Sequence, residues 1–388
     1  MNYQFPWIEK IEDVLPHIEG KEEFIVAKRD DYTVINYVVA MADTFPPIKV
    51  AGGSAKMRAE RAITNAMCRE CRGLIFDKSG KLISRPFHKF FNVGEREETQ
   101  PNKLDLSKPH VVLEKVDGSM IRPLVINGEL RLATKMGVTE VAEQAERWLN
   151  AQEDADFKKD FLILCFNRGL TPLLEWVSRD NKIVIDYENA DLIYLGTRNN
   201  KTGEYFFTNN APFTSVEMHG TVNGDFSEYI AKARQQEGRE GDIIRFEDGH
   251  MVKLKNDWYV RIHKVKDMIR FDRNILDLMM NEEIDDVVSI MDAADVKRIR
   301  DYEIMFWNLF ANTEGRLEGL LALAKTVYGG DKKRVALEMV PNLLNKDDGS
   351  FIFRMLDGKN VRDLLIEHVK KNMNNNTKYD GLIEWMKK

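Results

Sequence analysis

The sequence predicts an α+β protein: a region rich in short strands and turns to about residue 262, then an all-helical region over 263–388. Two observations carry this. Up to Lys255, apolar runs of strand length are punctuated by Gly, Asn and Asp turns. Beyond Trp258-Tyr259 the strand signals fade. Apolar residues then recur at helical spacing in Ile275-Leu276-Leu278-Met279, Met305-Trp307-Leu309-Phe310 and Leu317-Leu320-Leu321-Leu323-Ala324. The chain has 388 residues, 43% hydrophobic and 31% charged, enough for two or three packed domains and too apolar for a disordered polymer.

Taken in order, a helix is expected over 7–18 and strands over 24–27 and 32–39. Pro46-Pro47 through Gly52-Gly53-Ser54 reads as an irregular loop, and 57–67 as a helix. Leu74-Ile75-Phe76 and residues 82–85 pair about the turn Lys78-Ser79-Gly80-Lys81. Phe87-His88-Lys89-Phe90-Phe91-Asn92 is basic and aromatic together. That composition suits a phosphate and a base in one groove, or an aromatic cluster at a domain edge. Strand-like runs over 111–113 and 121–126 flank Asp117-Gly118, which read alone is a hairpin turn, and Asn127-Gly128 marks a further hairpin. Thr139 caps a helix over 140–150, with another reaching about 166. Strands over 171–177, 183–185 and 192–195, a turn over 199–203 and a helix over 226–236 follow. Residues 240–246 and 251–255 form a hairpin through Asp248-Gly249.

Three cysteines, Cys68, Cys71 and Cys165, cannot build a disulfide framework and suit a reducing cytoplasm. Cys68-x-x-Cys71 has the spacing of a zinc or redox pair, but no second Cys/His pair lies nearby. No apolar run is long enough to cross a bilayer, and residues 1–7 lack a secretion signal. The net charge of −6 argues against a uniformly basic coat while leaving room for a local basic cleft. In the helical region, the Trp and Met residues read most simply as core, with a grip on substrate as the alternative.

The chemistry concentrates on Lys115. A lysine at the end of an apolar strand beside a tight turn is poorly hydrated. Desolvation and neighbouring cations favour its neutral, nucleophilic form. Lys135 ends the second arm of the next hairpin. Glu175 lies inside an apolar strand, where a glutamate is seldom without a partner or a task. Lys253 and Lys255 share one strand face opposite Val252 and Leu254, and an anion between the two ammoniums would relieve their repulsion.

The order Arg72-Gly73, Lys115-x-Asp117-Gly118, Glu175, Glu240-Gly241, Lys253-x-Lys255 resembles the motifs of the covalent nucleotidyltransferases, which comprise polynucleotide ligases and RNA capping enzymes. A closer resemblance is to the tailed-phage RNA ligase 1 family. It rests on Glu70-Cys71-Arg72-Gly73, Ser84-Arg85-Pro86 with Lys89-Phe90-Phe91-Asn92, Thr202-Gly203-Glu204-Tyr205, and Lys253-x-Lys255-x-Asp257-Trp258-Tyr259. It covers about residues 30–262. Glu240-Gly241 departs from the family pattern in being followed by Asp242, and Glu237-Gly238 competes with it upstream.

The resemblance implies an adenylyltransferase domain over 1–262, of antiparallel sheets with flanking helices. A helical C-terminal domain over 263–388 follows, given a role in RNA selection by position alone. It implies ATP as cofactor, with Mg²⁺ or Mn²⁺. Lys115 attacks the α-phosphorus, AMP passes to a 5′-phosphate end, and a 3′-hydroxyl displaces it. Asp117, Lys253 and Lys255 are implied as catalytic beside Lys115. Tyr37, Arg72, Lys89, Gly118, Lys135 and Glu175 would hold the nucleotide, and Glu240 the metal. The implied partners are single-stranded RNA ends, in particular broken host tRNA, with single-stranded DNA as a further substrate, in the cytoplasm of an infected cell. Two alternatives are a GTP-dependent capping enzyme and a non-catalytic RNA-binding protein on a ligase scaffold. A helical pattern begins almost at once after Lys255, with no oligonucleotide-binding barrel in view, which disfavours capping enzymes and typical DNA ligases.

Overall fold

The computed structural model describes residues 5–41, 43–49, 51–208 and 210–388. Residues 1–4 of the segment read for a secretion signal, and Val50 of the predicted loop, lie outside the described residues. The chain divides into two compact units, Met1–Val260 and Arg261–Lys388. No helix among the described residues is long and apolar enough to cross a membrane.

The first unit contains three sheets. Strands β1 (Phe24–Lys28), β2 (Tyr32–Tyr37), β3 (Arg72–Asp77) and β4 (Leu82–Ser84) form an antiparallel meander in that order. Between β2 and β3 runs helix Ala55–Glu70, capped by the Ser54 hydroxyl, which accepts from the Met57 amide. Strands β5 (Phe91–Asn92) and β6 (His110–Glu114) begin a second sheet. The chain then leaves it for a third, made of β7 (Ser119–Ile126), β8 (Glu129–Ala133), β9 (Leu170–Val177), β10 (Asp191–Asn199) and β11 (Tyr205–Phe206), in the order β11-β10-β9-β7-β8. It returns with β12 (Met218–Gly220), β13 (Gly241–Phe246) and β14 (Met251–Lys255) to complete the second, ordered β12-β6-β13-β14-β5.

Most elements lie where the sequence puts them. Asn127 and Gly128 both take positive φ, as a two-residue hairpin requires. Thr139 caps helix Glu140–Asn150 through the Ala142 amide. Three expectations fail. Asp117-Gly118 is no hairpin turn, because β6 and β7 belong to different sheets and residues 115–118 cross between them. Residues 183–185 are loop: their apolar side chains suggest a strand, but the Val184 and Ile185 amides both donate to the Asp117 carboxylate instead of a ladder. The helix expected over 7–18 shrinks to a 3-10 turn, Ile11–Asp13, and one turn of α-helix, Leu15–Ile18.

The Cys68 and Cys71 thiols are buried in the core under the first sheet. Burial pushes the Cys71 thiol well up, which disfavours the thiolate that metal or redox chemistry needs.

The second unit is helical throughout its described structure, with no strand. Its core packs on helix Ala293–Thr326, whose buried residues Ile299, Tyr302, Phe306, Phe310, Thr313, Leu317 and Ala324 follow the 3.6-residue period. Trp385, Met279 and Met355 are core, as the sequence reading expected of Trp and Met. Trp307 and Met305 are not: they remain 38% and 36% exposed, because Phe306 takes the inward position between them.

The first and third sheets are joined by a buried ion triad. Glu70, ending helix Ala55–Glu70, accepts from Arg85 Nε at 3.0 Å and Arg198 Nη2 at 2.7 Å, and all three side chains are inaccessible to solvent or nearly so. The guanidiniums spend their other donors on backbone carbonyls: Arg85 on Pro6, Asn200 and Lys201, and Arg198 on Pro86 and Gly203. Satisfied this way, buried charges are tolerable, but removing one strands the others. Burial alone would raise the Glu70 carboxyl, yet the two guanidiniums outweigh it and hold it near 2. Glu70 therefore stabilises the fold fully above the ordinary glutamate range and loses that contribution as pH falls toward 2. Glu70→Gln should lower the unfolding free energy by about 3–5 kcal/mol in denaturant titrations at neutral pH. It should also flatten the acid limb of stability against pH.

Candidate active site

A cavity of about 660 Å³ opens in the first unit, lined from all three sheets. Strand alternation explains which residues face it. On β14, Met251, Lys253 and Lys255 point in, while Val252 and Leu254 fill the core behind. On β13, Ile243 and Arg245 point in. β2 and β3 contribute Tyr37 and Arg72, and Lys89 and Phe90 come from the segment before β5. The end of β8 leads to Lys135, and β9 presents Glu175.

Lys115 stands on the crossing from β6 to β7. Its amide donates to Gly241 O at 2.8 Å, extending the β6–β13 ladder by one rung. Three residues later, a Cβ on Gly118 would collide with the Trp176 carbonyl and lie 3.0 Å from Glu175 Cγ. Glycine thus lets the crossing pass against β9. The Lys115 ammonium lies 2.6 Å from Glu240 Oε2, and Lys255 lies 2.8 Å from Glu240 Oε1. One buried carboxylate therefore bridges two lysines. Glu237 is exposed and outside the cavity lining.

The site's electrostatics follow from crowding. Burial, then the charges of Arg72, Lys89 and Lys115, press Lys253 down to about 7. Burial pushes Glu175 up to about 8, with Glu240 and Asp117 adding to it and Lys115 and Arg72 opposing. A carboxyl of that kind is neutral at pH 7 and can donate as well as accept, which suits a ribose diol. Burial would raise the Tyr37 phenol, but Arg72, Lys89 and Lys135 outweigh it and bring it below its ordinary value. The Lys89 and Lys135 ammoniums lie 5.3 and 5.7 Å from the centre of the Tyr37 ring.

Tyr37, Arg72, Lys89, Lys115, Gly118, Lys135, Glu175, Lys253 and Lys255 thus line one cavity. Asp117 does not line it. Its Oδ2 accepts from Val184 and Ile185 and its Oδ1 from the Tyr259 hydroxyl at 2.6 Å, so it braces the crossing rather than facing substrate. Glu240 is also absent from the lining, held behind Lys115 and Lys255. Among the described residues no three His, Cys, Asp or Glu side chains form a metal cage. The Glu240 carboxylate implied for a metal has Oε2 on Lys115 and Oε1 on Lys255, so a divalent ion entering with the phosphates would have to displace one of these lysines to reach it.

A family model described as RNA ligase matches residues 70–259, spanning every motif from Glu70 to Tyr259. A Thermovibrio ammonificans protein bearing the name RNA ligase is 30% identical over 299 residues, covering 74% of this chain and 73% of its own length. This chain belongs to the RNA ligase family. The RNA ligase 1 of Bacteriophage TS2126 is 26% identical over 249 residues, covering 60% of this chain and 62% of its own. A solved archaeal ATP-dependent RNA ligase superposes over 78% of this chain and 79% of its own, with a TM-score of 0.45 and 12% identity.

The sequence reading of the ligase missed one buried cation. Arg122 on β7 is fully buried and donates to the carbonyls of Gly73 and Thr134. These are the backbone neighbours of Arg72 and Lys135, and Gly73 is packed so tightly that a Cβ would sit 2.6 Å from Lys135 O. Arg122 therefore fixes two cavity cations in register. Its Nε and Nη1 find no partner in the structure, and burial presses its charge down to about 9. A charged residue inside the apolar run Ile121–Val125 was the available signal, the same one that marked Glu175. Arg122→Met should leave thermal stability level or slightly raised, because an incompletely satisfied buried charge is removed. The KM for the nucleotide should still rise by about tenfold as Arg72 and Lys135 lose register.

Proposed function

We propose that the protein is an ATP-dependent RNA ligase joining 5′-phosphate and 3′-hydroxyl ends through AMP carried on Lys115. The observation that supports this best is the placement of Lys115 at the seam of a nucleotide-sized cavity, in contact with Glu240 and ringed by Arg72, Lys89, Lys135, Lys253 and Lys255. Lys115 Nζ attacks the α-phosphorus of ATP, the N–P bond forms and the bond to pyrophosphate breaks. The proton leaving Nζ passes to Glu240 Oε2, the nearest carboxylate oxygen. Charge on the departing oxygens falls to Lys253, Lys255 and Arg72. Glu175 holds the ribose. A divalent ion bound with the phosphates would add a Lewis acid there. AMP then moves to a strand's 5′-phosphate, and a 3′-hydroxyl attacks that phosphorus and expels AMP. The finer reading is a repair enzyme for broken tRNA in an infected cytoplasm, accepting single-stranded DNA as well, with the helical unit selecting RNA.

Incubation with ATP labelled on the α-phosphate, followed by denaturation, should leave label on the native protein and none on Lys115→Ala. Label from GTP alone would show a capping-type enzyme, and label from neither would end the covalent mechanism.

Lys253 gives a pH signature. It is protonated below about 7 and neutral above, so affinity for an α,β-methylene analogue of ATP should fall by about tenfold between about pH 6 and about pH 8. Lys253→Arg should keep its charge across that range and flatten the curve.

A further inference from the structure

A second cavity, of about 620 Å³, shares Phe207, Arg245 and Met251 with the first. Its wall is aromatic. Tyr205 and Phe207 stand nearly parallel, 6.2 Å apart at 13°, and Phe87 of the first cavity continues the column at 5.5 Å and 22° from Tyr205. Phe206 lines only the second cavity and is 47% exposed, although it is a large apolar side chain on an edge strand. Arg245 lies over the Phe207 ring in the shared wall and makes no ion pair among the described residues. The second cavity's rim is acidic, with Glu204, Glu247 and Asp248.

These features separate two chemistries. The first cavity is cationic and takes phosphates. The second sets Glu204 and Glu247 beside Asp248, which pairs with Lys108 at 3.3 Å, and offers the exposed Phe206 ring for stacking and carboxylates that accept from amino groups on base edges. A guanidinium at the junction suits the phosphodiester that would pass between them. We propose that the second cavity is a subsite for an unpaired nucleobase near the 5′ end of the strand to be joined, stacked on the exposed Phe206 ring with Arg245 on the adjoining phosphate. The proposal rests on the ligase reading above, and its test is kept apart from that reading by measuring binding rather than chemistry.

Anisotropy titrations would compare a 5′-phosphorylated single-stranded RNA with versions made abasic at one of the first three nucleotides. One abasic position should weaken binding to the native protein by about tenfold, the effect of losing one stacked base. Phe206→Ala should bind the intact strand as weakly as the native protein binds that abasic strand, and should lose the discrimination. Its labelling by α-labelled ATP should be unchanged. Equal binding of all strands by the native protein would overturn the subsite, as would undiminished discrimination by Phe206→Ala or discrimination confined to a 3′-hydroxyl strand. Failure of α-phosphate labelling with base discrimination intact would sink the ligation mechanism and leave the subsite standing.

Discussion

Glu70, Arg85 and Arg198 meet where almost no water reaches, and the geometry of the cavity hangs on that meeting. In a poorly polarisable interior, a carboxylate between two guanidiniums tolerates little displacement, since each lost contact leaves a buried charge exposed to the full desolvation penalty. Arg72-Gly73 begins two residues beyond Glu70, and the segment carrying Lys89 begins at Pro86, whose carbonyl Arg198 holds. The triad thus sets where two of the cavity's cations enter. Three signature residues, Glu70, Arg85 and Gly203, meet at the triad, and none of the three lines the nucleotide-sized cavity.

A second brace acts on the segment that carries Lys115. Residues 115–118 have to leave one sheet and join another, and such a crossing has no ladder of its own. Asp117 supplies the missing order by collecting three donors from elsewhere in the chain, and Gly118 permits the close pass against Trp176. The motif's aspartate and glycine therefore serve to position its lysine.

The sequence made the strands, the caps and the identity of the cavity residues legible, because alternation and turn chemistry are local. Lys253 and Lys255 could be assigned to one face from spacing alone, and Thr139 marked its helix to the residue. What stayed hidden was long-range. Nothing in Ile183-Val184-Ile185 reveals that Asp117, far away in sequence, claims its amides. Nothing near Asp117-Gly118 tells a hairpin from a crossing between sheets. The Arg122 clasp was half legible: the charge in an apolar strand was visible, but its acceptors, Gly73 and Thr134, were not. Trp307 and Met305 misled because apolar character cannot say which of two adjacent residues turns inward.

The bridge from Glu240 to Lys115 and Lys255 also bears on what happens in the absence of nucleotide. Both oxygens of the Glu240 carboxylate are taken up by ammonium groups, Oε2 by Lys115 and Oε1 by Lys255. The Lys115 side chain is thereby tethered at the edge of the cavity. With both carboxylate oxygens engaged, two lysines from distant segments of the chain are set at a fixed separation before any anion arrives. The cavity is therefore preorganised, its cations spaced by contacts within the protein and not by the ligand that enters.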